Sequence, residues 1–156
     1  MAVDSRRELI LKAVKDVLES LPAIRTVERT RPSFADLGNY ADTQLPLIAV
    51  VGGLPKPDPK WSGRVHQTAG VIISDLSVEL VCYAMDNVTP DSTISNLMDD
   101  IWTKVYSDPL LITDDYPDGL ALRVEITPES QVGIWDPYVV FKLVCVYKYQ
   151  HSMGGI

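Results

Sequence analysis

The sequence predicts an α+β domain: a mostly antiparallel sheet of four to six strands with two main helices packed on it, plus one long proline-rich loop or arm. Two stretches carry apolar residues at helical spacing behind capping residues, and several others alternate or run continuously in β-branched residues. The strand runs mostly follow one another through short turns, which favours antiparallel neighbours. A length of 156 residues, 46% hydrophobic and 22% charged, suits one core rather than two, so residues 1–156 form a single domain.

The first helix starts where Ser5 stands three residues before Glu8, the capping-box arrangement in which each side chain satisfies a free amide of the first turn. Ile10, Val14, Val17, Leu18 and Leu21 then share one face, and Arg7, Lys12, Lys15, Asp16 and Glu19 mostly cover the other. Pro22 stops the helix, and its apolar stripe is read as core packed on a sheet. A short strand around Ile24–Arg29 follows, then a wandering connection through residues 30–44. The run Leu45–Val51, apolar on both faces and closed by Gly52-Gly53, suits a strand in the sheet interior, with Pro46 near its start where a missing amide does least harm.

Residues 52–64 place prolines 55, 57 and 59 at alternate positions, which removes ladder donors and favours an extended, solvated backbone. The segment is either a mobile surface loop or an arm that docks on a neighbour with Trp61 as its aromatic anchor. From Val65 to Met85 the pattern is strand-like, with a possible hairpin break near Ser74-Asp75. Leu76, Val78, Leu80, Cys82 and Ala84 form a cleanly apolar face. Thr89-Pro90 starts the second helix, with the hydroxyl as N-cap, and Ile94, Leu97, Met98, Ile101, Trp102 and Val105 form its stripe until Asp108-Pro109 ends it. After an acidic turn, Leu120–Thr127 and Tyr138–Gln150 read as two strands, the second with Val139, Phe141, Leu143, Cys145, Tyr147 and Tyr149 on one face. Residues 151–156 read as a flexible tail.

With 21 acids against 14 Lys and Arg, the net charge of -7 argues against a direct reader of nucleic acid. Cys82 and Cys145 lie far apart inside apolar runs, so they offer neither a disulfide framework nor a metal knuckle, and Cys82 is read as an inert core thiol. No signal core opens the chain and no apolar run approaches bilayer length, so the expectation is a soluble product of the cytoplasm with no membrane contact.

Catalytic signatures are missing. His66 and His151 stand at no metal-ligand spacing, and there is no GxSxG elbow, phosphate loop or dinucleotide fingerprint. Asp114, Asp118, Gly119 and Glu125 match four positions of a calcium loop, but Tyr116 stands where a ligand oxygen is needed and Pro117 stiffens the turn. The expectation is therefore no enzyme, no metal and no cofactor. Charge is more informative: residues 1–31 hold seven Lys or Arg against five acids, whereas residues 86–118 hold eight Asp against Lys104 alone. That acidic block is either a solvated helix face with acidic turns or a surface that repels nucleic acid or meets a basic partner.

Taken together, the helix at Ser5-Arg6-Arg7-Glu8, the strand near Ile24–Val27, the Leu45–Val50 strand, Val81-Cys82-Tyr83-Ala84, the helix around Leu97–Ile101, Asp108-Pro109 and the closing Val144–Tyr149 resemble the tail terminator, or tail-completion, proteins of tailed bacteriophages. The likeness covers nearly the whole chain through hydrophobic pattern rather than an invariant motif. It implies an α+β subunit that assembles into a homohexameric ring, caps the tail tube, stops its polymerisation and joins the tail to the neck of the head. The implied partners are further copies of the chain, the tail tube protein, a sheath protein, and a neck or connector protein. The implied place is the virion, with DNA passing through unbound.

Under that resemblance, Asp99, Asp100, Asp114, Asp115 and Asp118 become candidates for an acidic lumen or partner surface. Leu54, Lys56, Lys60, Trp61 and Arg64 become candidates for an interface. Two other readings stand beside it: a head-tail connector or stopper of similar body, and a small-molecule-binding or enzymatic α+β domain with its pocket between helices and sheet.

Overall fold

A computed structural model describes residues 4–33, 36, 44–57, 71–85, 89–135 and 138–152 of the chain. In chain order the elements are α1 (Arg6–Glu19), β1 (Thr26–Glu28), β2 (Leu47–Gly52), β3 (Lys56–Pro57), β4 (Val71–Met85), α2 (Pro90–Ser107), β5 (Arg123–Trp135) and β6 (Tyr138–Ser152). The six strands form one sheet in the order β1-β2-β4-β6-β5, with β3 pairing β4 beyond the end of β2. Only β1 and β2 run parallel, so the architecture is the mixed, mostly antiparallel α+β fold that the patterning predicts.

The spine of the sheet is the β4–β6 pair, in register from Val71 opposite Ser152 to Met85 opposite Tyr138. Fifteen residues of extended chain span about 50 Å, well past the short β2. β4 is continuous, without a hairpin at Ser74-Asp75, because β6 pairs with it throughout. β5 runs on to Trp135, past the Thr127 at which the sequence pattern ends the strand; Pro128 falls where the register shifts between Thr127 and Gln131, an irregularity that tolerates a residue lacking an amide donor. His151 and Ser152 belong to β6 rather than to a tail, and residues 153–156 lie outside the described residues.

The helices cover one face of the sheet. Ile10, Leu11, Val14 and Leu18 of α1 and Ile94, Leu97, Ile101 and Val105 of α2 bury against Ile48, Val50, Leu76, Val78, Leu80, Cys82, Phe141, Leu143 and Cys145. Removing one such large side chain costs about 2–5 kcal/mol, since the close-packed surroundings collapse only partly into the space. On the opposite face Leu47, Ala49, Val81, Tyr83 and Val140 form a second buried cluster with Leu45. β2 is thus apolar on both sides, as its continuous run predicts, and Tyr83 is buried there beside Arg31, whose Nε donates to the phenol oxygen over 3.4 Å.

Two caps differ from expectation. Ser5 Oγ accepts from the Glu8 amide at 3.2 Å, but the Glu8 carboxylate does not complete the box; it turns to Arg29, with contacts of 2.8 and 3.2 Å. A bidentate guanidinium is a stronger partner for a carboxylate than a single amide. Thr89 occupies the N-cap of α2 without a capping bond from its hydroxyl, and the turn closes through the Thr93 amide on the Thr89 carbonyl at 3.1 Å. Nor is Arg7 a solvent-face cation: its guanidinium donates to the carbonyls of Gly52 and Gly53, each over 3.0 Å. A Cβ at Gly52 would stand 2.8 Å from a Leu11 methyl, so this glycine is what lets α1 lie so close to the end of β2.

Candidate functional site

The surface features that distinguish this chain gather on α2 and on the turn that follows it. Asp91, Asp99, Asp100, Asp114, Asp115 and Asp118 are all exposed. They do not form a single patch by periodicity. Asp99 and Asp100 are consecutive residues, about 100° apart around the helix axis, so they face different flanks of α2.

Asp114, Asp115 and Asp118 ride on a tight turn in which the amides of Tyr116 and Gly119 donate to the carbonyls of Thr113 and Tyr116. The turn is held against the start of α1 by the Arg6 guanidinium, 4.8 Å from the centre of the Tyr116 ring, a cation–π contact. Gly119 is fixed there by geometry: its φ is +95°, and a Cβ would fall 2.5 Å from the Leu110 carbonyl oxygen. Arg6, Asp118, Gly119, Leu122 and Gln150 line a cleft of about 410 Å³ beside this turn.

The residues of the calcium-loop pattern are put to other uses. Asp114 and Asp118 stay on the exposed turn, while Glu125 lies on β5 in an ion pair with Arg123. Among the described residues, no three of His, Cys, Asp and Glu gather where they would hold a metal ion. Both thiols are buried on the helix-covered face; burial pushes the Cys145 thiol up to about 12 and Cys82 higher still, so neither is a thiolate at neutral pH.

One exposed feature lies outside the residues that the sequence marks. Trp102, placed by periodicity in the core stripe of α2, is 42% exposed, and Tyr106 one turn later is 41% exposed. Their ring centroids are 6.1 Å apart at 50°. Ser95, Met98, Asp99 and Trp102 line a shallow groove of about 350 Å³ along this flank. The signal was present in the spacing: Ile94, Leu97, Ile101 and Val105 complete a helical stripe, and Trp102 stands about 100° beyond Ile101. Tyr106 Oη also accepts from the Ile126 amide at 3.0 Å, which ties the flank to the outer edge of β5.

Of the interface candidates, Leu54 is 83% exposed between β2 and β3, and Lys56 is exposed on β3 opposite Asp75. Lys60, Trp61 and Arg64 lie outside the described residues, as does His66. The helix-free face of the sheet mixes both signs, with Lys148 Nζ 2.9 Å from Asp75 and Lys142 Nζ 3.4 Å from Glu79. No described helix is long and apolar enough to cross a membrane. Compared with known proteins, the chain matches no family model and no curated protein.

Proposed function

We propose that this chain is a ring-forming structural subunit of a tailed-phage virion: a tail terminator that caps the tail tube, stops its polymerisation and joins the tail to the neck. What supports the reading most is how charge is distributed over the α+β frame. Residues 89–119 hold seven Asp against Lys104, all on α2 and its following turn, while the helix-free sheet face carries paired charges of both signs. In a closed ring, a face with acids turned to the lumen lets DNA pass without gripping it, since phosphates meet like charge and no counterions are released. The work of such a subunit is mechanical, so it is not an enzyme and uses no cofactor. Its place is the virion.

The test is assembly and arrest. Mass photometry and negative-stain imaging are expected to show a sixfold particle, alone or on tube ends, and adding the protein to polymerising tail tube protein should stop elongation. Binding to the neck side of heads with tube growth unchanged would assign the chain to the connector role instead. A stable monomer that leaves tubes growing and melts higher with a small ligand would end the ring reading. A ring whose Asp100, Asp114, Asp115 and Asp118 point to the outer rim would remove the lumen assignment alone.

A further inference from the structure

We propose that the Trp102 flank of α2 receives the basic, proline-rich segment 54–64 of a second copy of this chain. This rests on the ring reading for the identity of the neighbour and adds the contact that would build it; Asp99 then belongs to that contact, and the lumen is left to Asp100 on the other flank of α2 and to Asp114, Asp115 and Asp118.

The receiving surface is a stripe rather than a patch. Asp91, Ser95, Asp99, Trp102 and Tyr106 recur at successive turns, so two acids are followed by an aromatic pair along a groove that Met98 also lines. Exposed aromatics beside a groove are the composition of interaction hot spots. The occupant is selected by charge. Within 54–64 stand Lys56, Lys60 and Arg64 against Asp58, an excess of cations in a chain that is acidic overall. Its described part already offers an apolar and a basic group to solvent in Leu54 and Lys56.

Spacing agrees with charge. Asp91 and Asp99 are eight residues apart on a helix, about 12 Å along the axis. Lys60 and Arg64 are four residues apart, about 13 Å in an extended strand. With those cations against those acids, Trp61 falls within the interval that holds Ser95 and Met98. The prolines at 55, 57 and 59 lower the entropy lost on docking in extended form.

Position favours a neighbour over the same chain. The segment departs from β3, on the side of β4 that β2 occupies, whereas Tyr106 fixes the receiving flank to the outer edge of β5 at the other side of the sheet. Donor and acceptor on opposite edges make a head-to-tail contact, the kind that closes into rings.

The experiment uses a labelled synthetic peptide of residues 53–66 and the full-length chain. The peptide is expected to bind, to weaken with added salt, and to bind about tenfold more weakly to the Trp102→Ala and Asp91→Asn/Asp99→Asn variants. In the full chain, Lys60→Glu/Arg64→Glu and Asp91→Lys/Asp99→Lys should each abolish the oligomer, and mixing the two variants should restore it through reversed pairs. Circular dichroism identifies any variant that fails to fold. Two results would overturn the proposal: no peptide binding even to the chain lacking residues 54–64, in which no copy's segment can fill the groove, or binding indifferent to these substitutions. If rings persist in both charge-reversed variants, the ring reading stands and this contact falls. If the peptide binds as expected but no ring forms even on tube ends, the ring reading falls and the groove's choice of peptide remains.

Discussion

Two glycines of the same sequence type carry different obligations. Gly119 sits at φ +95° with Leu110 carbonyl oxygen in the space a Cβ would take, so Gly119→Ala meets both a backbone clash and a left-handed conformation. Gly53 has 3.3 Å to the Ser77 carbonyl oxygen at the same test point, a tight approach that a shift of a few tenths of an ångström relieves. Urea unfolding should therefore show Gly119→Ala less stable by about 2 kcal/mol or more, while Gly53→Ala loses less than about 1 kcal/mol. Equal losses would mean that the turn at 113–119 repacks at no cost. That turn carries three of the candidate acids, so its rigidity decides where Asp114, Asp115 and Asp118 are presented.

The link between α1 and the β1 end of the sheet is ionic. Arg29 holds Glu8 through two contacts, and this hydrogen bonding keeps the Glu8 carboxyl below its ordinary value despite the opposing effect of burial. A carboxylate with a depressed folded pKa stabilises the fold above its unfolded value, and that stability is lost as pH falls through the folded value. The pair is about one-third exposed on each side, so solvent limits its worth to about 0.5 kcal/mol. Measured stability should thus differ between wild type and Glu8→Gln at pH 7, and the two curves should converge below about pH 4. Curves that stay parallel through that range would show the pair to be inert. The capping signal at Ser5 and Glu8 was legible in the chain, whereas the choice of Arg29 as partner was not, because it depends on a residue brought near only by the sheet.

On the scale of the molecule, the sheet is sealed on the helix side by a core that encloses both cysteines. Burial raises both thiols, so native protein should resist a thiol reagent at pH 8 and expose two thiols with the kinetics of global unfolding. Rapid labelling of either thiol under native conditions would show that the helices open locally from the sheet. The apolar alternation of β4 and β6 made this face legible, as helical spacing did the two helices and a continuous apolar run the burial of β2. The length of β5 and the continuity of β4 were not, since the sequence reading stops the one at Thr127 and allows a break in the other at Ser74-Asp75, and only pairing with β6 carries both strands on.

By itself the sequence determined the fold class, the two amphipathic helices, the buried thiol of Cys82 and the acidic bias of residues 86–118, because each follows from periodicity, composition or local chemistry. Tertiary structure alone decided that Arg7 and Gly52 clamp α1 to the end of β2, that Glu8 belongs to Arg29, and how far Trp102 and Tyr106, at the flank of the α2 stripe, stand out in solvent beside the β5 edge. Those outcomes depend on which surface each helix has left after packing. A helical repeat fixes the angle of a side chain around its axis, but only the sheet beneath it sets how much of that circle is buried.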